Sequence, residues 1–507
     1  MAQVVAAVSN RRWDSVLLWG FLASLAIARA GHPEERDAFW QIRAGMENLA
    51  GVPFARPDTW GWSGIEGNWY PNSPLWNILL ALSYGAAGLW GLFVLSAATI
   101  LALLVVTHLL GRRLGARRLP GLLGLLAVYS AAFPMLSARA TLVIQVLLLT
   151  SVYLVLRLSD LATTMRPAIL TAVVTAGALG LSTLGNWLHL SFLLLGPALG
   201  GVWGLVWLMT PGLTRGRRVV LIVAGGIGWL LGPVLSPYGL VLGLARARAV
   251  QEACEGIILE WASPFSPLVP PKFFLMLAAA LVLALGAAGW LYKRWRAGAP
   301  VRDLAALVAI GLPTALAGLV AIRFLGVSLL VLAPVAAAAA TRAVDWLRSR
   351  PAPAFLSPGL AARLRDYSTG RFWRIVLTAT LVVLSPGVVL LGLQHGEPPE
   401  RAIVAQLPSG CRLFTDSVLG SATVLLRPDV PVWMDGRLDF AGRQMILDAY
   451  GYQNGTMADP VPPGATCVLV AANADGAPLR ARLSSSGDWR FGSGDGTLEL
   501  WLPVAAG

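Results

Sequence analysis

The chain has 507 residues, 56% of them hydrophobic and 13% charged, with a mean hydropathy of +0.67. A soluble domain carries roughly 25% charged residues, so a single water-facing globule is excluded, and so is intrinsic disorder. The net charge is +13, but the cations are 37 Arg and 2 Lys scattered between apolar runs, a pattern of membrane topology signals and not of a nucleic-acid surface.

A helix crossing about 30 Å of hydrocarbon needs roughly 20 apolar residues. Runs of that kind predict spans near 13–30, 91–110, 119–136, 141–159, 168–184, 190–209, 219–236, 273–292, 304–322, 324–344 and 375–394. Arg11-Arg12 before the first run and Ala28-Arg29-Ala30 at its end resemble a signal peptide with its cleavage site. The loop that follows lies outside whether or not that span is removed. A further apolar stretch, 74–90, is short and broken by Ser83, Tyr84 and Gly85. Charge decides how to read it. With eleven spans and a cytoplasmic N-terminus, 22 Lys and Arg fall in inner segments and nine in outer loops. Counting 74–90 as a span would put the RRLGARR loop (112–118) and every later basic loop outside, against the positive-inside bias. The segment is therefore read as interfacial or re-entrant.

The first outer loop with its interfacial helix covers 31–90 and holds Glu34, Glu35, Asp37, Glu47, Asp58 and Glu66. It also carries Trp40, Trp60, Trp62, Trp69 and Trp76, suited to the headgroup zone or to stacking on sugar rings. Two isolated arginines fall in later outer turns, Arg139 and Arg323; an isolated charge amid apolar sequence is costly without a partner. His189, after Asn186 and Trp187, sits at an outer helix end. The second large outer loop, 237–272, spaces Arg246, Arg248, Glu252 and Glu255 as an amphipathic helix with internal salt bridges, followed by Glu260. From 395 to 507 the spans stop. Five β-like runs (412–417, 422–427, 430–435, 466–472 and 497–504) alternate with turn residues and predict a small soluble α/β domain on the outer face. Asp435, Arg437 and Asp439 cluster after the third run.

The three cysteines are too few for a disulfide framework. Cys411 and Cys467 both fall in the outer domain, where they either pair or stay as two buried thiols. The four histidines are far apart, so no metal site of His or Cys is predicted.

The order of a first helix, an acidic loop with D-x-x-W-x-x-x-x-G (Asp37, Trp40, Gly45), Pro57-Asp58 and an interfacial W-x-x-x-x-P-L-W (Trp69 to Trp76) resembles the GT-C superfamily of membrane glycosyltransferases. Further matches are N-W-L-H (186–189), S-P-Y-G (236–239), I-L-E-W (258–261) and M-D-G-R-x-D (434–439). The similarity extends to an uncharacterised bacterial branch related to the protein mannosyltransferase and aminoarabinose transferase families. It implies an all-α polytopic domain over 1–394, with about eleven transmembrane helices and an interfacial helix, followed by the small outer α/β domain. It also implies transfer of a sugar from a polyprenyl-phosphate carrier to an extracytoplasmic glycan, lipid or protein, with inversion. The general base would be Asp37, with Glu35 or Asp58 next; Arg139, Arg323 and His189 would hold the donor phosphate. Trp40, Trp69, Glu260, Asp435 and Arg437 would contact substrate. No cofactor is required by the residues, although the resemblance admits a divalent cation. The Ala/Gly/Arg-rich, Lys-poor usage points to a GC-rich bacterial genome, and the expected location is a bacterial plasma (inner) membrane. Alternatives are a transporter or flippase of lipid-linked glycans and a non-catalytic assembly protein. A transporter would more typically break paired spans near the midplane, whereas here the acids gather at one face.

Overall fold

The computed structural model describes residues 2–30, 36–136, 139–349, 370–393, 398 and 400–504. Its helices are α1 (Ala2–Ala30), α2 (Asp37–Leu49), α3 (Pro74–Arg113), α4 (Arg118–Ala132), α5 (Ala140–Leu161), α6 (Pro167–Leu188), α7 (Phe192–Leu208) and α8 (Arg215–Leu231). There follow α9 (Gly239–Cys254), α10 (Lys272–Arg296), α11 (Arg302–Ala317), α12 (Arg323–Ser349) and α13 (Gly370–Leu393). Among the described residues eight helices are long and apolar enough to cross a bilayer: α1, α3, α5, α6, α10 and α12, together with α4 and α8, which short 3₁₀ turns extend to Met135 and Leu235. Helices α7, α11 and α13 occupy the other three predicted runs, but α7 and α11 have only 17 and 16 residues. The expected elements are thus in place, while fewer than eleven reach the length of a full span.

Helix α3 joins the stretch read as interfacial to the next span. Forty straight residues would reach about 60 Å, twice the hydrocarbon thickness. The chain instead turns at Ala87 (φ −152°) and Gly88 (φ +57°). The turn is so sharp that a Cβ at Gly91 would stand 1.8 Å from the Ser83 carbonyl oxygen. Residues 74–86 therefore form a separate arm. It packs Trp76 and Leu80 against Ile42 of α2 and Ala140 of α5.

The two ends of α5 mark the two ends of the bundle. At the Asp160 end, Arg113 and Arg302 each bond both Asp160 and Asp303, at 2.7 to 3.0 Å, which ties the ends of α3, α5 and α11 together. Arg117 pairs with Asp345 there. At the Arg139 end lie the loops. The Leu190 amide donates to the Asn72 carbonyl (2.8 Å), and the Ile322 amide donates to that of Ala262 (3.1 Å). Basic helix ends and acidic loops are thereby segregated.

In the first loop β1 (Arg56–Pro57) pairs antiparallel with β2 (Asn68–Trp69). The C-terminal region is built on a sheet of β3 (Leu413–Phe414), β4 (Cys467–Ala471), β5 (Trp489–Gly494) and β6 (Leu498–Pro503), in the order β3-β4-β6-β5. Pair β3–β4 is parallel and the others antiparallel. Helices α14 (Ser417–Leu426), α15 (Leu438–Gln453) and α16 (Ala477–Ser486) complete it. The run 422–427, predicted as a strand, is helical. Asp416 caps it, its Oδ1 accepting from the amides of Val418 (2.8 Å) and Leu419 (2.9 Å). That satisfies donors a strand would have left to a ladder. The run 430–435 forms only isolated bridges, Val432 to Leu413 and to Gly61 of the first loop. Strand β5 is absent from the sequence-based expectation because its Gly, Ser and Arg content hides any alternation.

Cys411 and Cys467 form a disulfide across 56 residues of sequence. It fixes the entry to β3 against β4. Replacing both by Ala is expected to cost about 2–4 kcal/mol, since the unfolded chain regains the freedom of a long loop. Thermal unfolding with and without reductant checks this; an unchanged midpoint would contradict it.

Candidate active site

Asp37 opens α2 and projects from the loop end of the bundle. Its Oδ2 lies 3.2 Å from an Arg139 guanidinium nitrogen, and the same guanidinium bonds the Glu260 carboxylate. Arg139 is the N-cap residue of α5, while Glu260 sits on a single 3₁₀ turn, Leu259–Trp261, after α9. Three loops distant in sequence therefore converge on one arginine. All three side chains keep roughly a third of their surface open (31% for Arg139, 36% for Asp37, 37% for Glu260), so a ligand can reach them.

Two further side chains, one cationic and one a neutral donor, stand behind this group. Arg323, at the start of α12, lies over the Trp261 ring at 4.1 Å from its centroid. That stacking partly offsets the cost of an arginine near the membrane. His189 follows α6. Its Nδ1 accepts from the Ser191 amide (3.0 Å) and lies 2.8 Å from the Ser191 hydroxyl. An acceptor role for Nδ1 puts the proton of the neutral ring on Nε2. Loss of solvation, reinforced by the nearby charges of Arg323 and Arg139, pulls the His189 pKa down to about 3. The ring is thus a neutral N–H donor at ordinary pH. The sequence-predicted residues Asp37, Arg139, Glu260, Arg323 and His189 come together as one site. Among the described residues no group of three His, Cys, Asp or Glu is placed to hold a metal ion. Glu35 lies outside the described residues.

The other predicted site residues form a second, buried cluster. Arg437 bonds Asp58 (2.8 Å) and Asp435 (2.7 Å), and these three side chains are 5%, 8% and 3% exposed. The guanidinium lies 4.2 Å from the Trp60 ring centroid and 5.0 Å from that of Trp69. Burial opposes the Arg437 charge, but the two carboxylates outweigh it and raise its pKa above the ordinary arginine value. Asp58 therefore neutralises an arginine and is not an open acid. Trp40 and Trp69 pack edge to face (5.7 Å) inside a core shared with Trp60, Leu413, Val432 and Cys467. They join the first loop to the C-terminal sheet and do not offer a free face to a sugar. A shallow cleft beside Arg437 is lined by Asp58, Gly61, Trp433 and Phe440.

Sequence spacing predicted internal salt bridges in the 237–272 helix. Arg248 does pair with Glu252 (2.7 Å), but Arg246 reaches across to Asp439 of α15 (2.9 Å). Burial raises the Asp439 pKa, with Arg246 opposing. Arg36 pairs likewise with Glu400 (2.9 Å). No local motif signals these contacts, which span some 190 to 360 residues of sequence.

Gly45, the last residue of the D-x-x-W-x-x-x-x-G pattern, holds α2 against the arm of α3. A Cβ there would lie 2.0 Å from the Asn77 carbonyl oxygen and 2.8 Å from the Ala81 Cβ. Gly45→Ala is expected to cost about 1–3 kcal/mol and to lower activity by displacing α2. Thermal unfolding of the variant checks it; a midpoint equal to the parent's would show that the helices separate freely.

No family model matches the sequence, and no curated protein matches it. Solved structures do resemble it in three dimensions, archaeal oligosaccharyltransferases among them. Oligosaccharyltransferase AglB from Archaeoglobus fulgidus, in complex with an inhibitory peptide and a dolichol-phosphate, aligns over 98% of this chain and 75% of its own, with a TM-score of 0.54 and 10% identity. An Archaeoglobus fulgidus oligosaccharyltransferase tethered to an acceptor peptide containing the NVT sequon aligns over 90% and 69%, with a TM-score of 0.50 and 11% identity. The chain has a GT-C fold. In GT-C terms the helical bundle, the arm of α3 and the C-terminal sheet belong to one alignment that covers nearly all of the chain.

Proposed function

We propose that the chain is an integral membrane glycosyltransferase that moves a sugar from a polyprenyl-phosphate-linked donor to an extracytoplasmic acceptor, a cell-envelope glycan, lipid or protein. The observation that carries the reading is the convergence of Asp37 and Glu260 on Arg139, with Arg323 and neutral His189 behind them, at the loop end of a GT-C bundle.

Asp37 is the general base. Its carboxylate takes the proton of an acceptor hydroxyl as that oxygen attacks the anomeric carbon, and the carrier phosphate departs from the opposite face with inversion. The guanidiniums of Arg139 and Arg323 and the Nε2–H of His189 receive the charge that builds on the leaving phosphate. Glu260 holds Arg139 in place between the two carboxylates. The Arg-rich helix ends face the cytoplasm and the acidic loops the outer side, in keeping with the positive-inside bias; the membrane is a bacterial plasma membrane.

The test uses the purified full chain in lipid nanodiscs, a panel of radiolabelled polyprenyl-phosphate sugars and a cell-envelope acceptor extract. Label is expected to pass from lipid to acceptor. Retention of all label on the lipid across the panel would overturn the reading.

A further inference from the structure

The buried Asp58–Arg437–Asp435 cluster lies next to α2, yet the reaction above does not use it. Its surroundings lead back to the base. Gly436, between Asp435 and Arg437, closes on the pyrrole edge of Trp40: a Cβ there would stand 2.6 Å from both Cδ1 and Nε1. The Gly436 amide also donates to the Ser421 hydroxyl (2.9 Å), which fixes the backbone at this point. On its other side Trp40 meets the Trp69 ring, itself under the Arg437 guanidinium. Trp40 is thereby held between the C-terminal motif and the first loop. From that position its Nε1–H donates to Asp37 Oδ1 (3.4 Å), while Arg139 takes Oδ2. The two carboxylate oxygens have separate holders, one on each side.

We propose that Arg437, clamped by Asp58 and Asp435, is a positioning residue for Asp37 and acts through the indole of Trp40. This rests on the assignment of Asp37 as base. The C-terminal region thus sets the rotamer of a group more than 390 residues earlier in the chain. A carboxylate that swings loses the alignment on which proton removal depends.

The test measures sugar transfer by the full chain with radiolabelled polyprenyl-phosphate sugars, as kcat and KM separately. Trp40→3-benzothienylalanine keeps the bicyclic shape and removes only the N–H. The expected result is a fall in kcat of roughly two- to tenfold, the worth of one hydrogen bond, with KM and the melting midpoint unchanged. Arg437→Lys keeps the charge and loses the planar fork, and is expected to lower kcat in the same way. In an Asp37→Asn background neither change should lower the residual rate further, because residues acting through one group are not additive. An unchanged kcat in the benzothienyl variant, beside an inactive Asp37→Asn, overturns the positioning role and leaves the base standing. Full activity in Asp37→Asn overturns both.

Discussion

Asp37→Asn is expected to slow sugar transfer by about 10²–10⁴-fold, the range for loss of a general base, while the protein stays folded. The amide is nearly isosteric and still accepts from the Trp40 Nε1–H, but it cannot take a proton. The ion pair with Arg139 is lost, and at a site this open such pairs contribute only about 0.2–1 kcal/mol, so the melting midpoint should move little. Donor binding should also persist, because Arg139, Arg323 and His189 are untouched. The measurement is single-turnover transfer from a radiolabelled polyprenyl-phosphate sugar, beside retention of the labelled lipid by the nanodisc-held variant. A rate within threefold of the parent's would remove Asp37 from the chemistry.

The largest effect on stability is expected from Arg437→Met. Methionine keeps an unbranched apolar stem as far as the position of Nε and removes the guanidinium head, so the loss is mainly of charge, with a smaller loss of packing. Asp58 and Asp435, both less than a tenth exposed, would face each other without a cation. Breaking a buried ion pair from one side typically costs about 3–5 kcal/mol. Trp60 and Trp69 would lose the guanidinium stacked against them. The expected readout is a lower unfolding midpoint together with a red shift of tryptophan emission, as the first loop parts from the sheet. Adding Asp58→Asn and Asp435→Asn to the variant should recover part of the loss, since the unpaired charges go with the carboxylates. A midpoint that does not respond to either change would mean that apolar packing alone holds the two regions together.

The parts of the molecule legible in the sequence were those governed by local periodicity. Apolar runs of about 20 residues placed the bundle helices because each buries a stripe against its neighbours and presents the rest to lipid. Strands β4 and β6 were legible as short, bounded runs of Val, Leu and aromatic residues. Helix α14 was not, because its Ala-Thr-Val-Leu-Leu segment suits either state and the Asp416 cap decided it. Of the site, Asp37, Arg139, Glu260, Arg323 and His189 were each visible as charged or polar residues where an apolar run ends. Their convergence follows from helix packing. The reading of Asp58 as an alternative base, and of Trp40, Trp69, Asp435 and Arg437 as substrate contacts, missed their burial. Nothing near Asp58 announces that Arg437, 379 residues later, will cover it.

The core that unites Trp40, Trp60 and Trp69 with Ile403, Leu413 and Cys467 sets a schedule for biogenesis. About 400 residues separate its early and late members, roughly 20–80 s of synthesis at 5–20 residues per second. Throughout that interval the nascent loop must keep three large indoles away from wrong partners, including other newly inserted chains. A ribosome that stalls before Ile403 would release a product whose helices are threaded but whose first loop is still bare, and quality-control proteases would meet it there first.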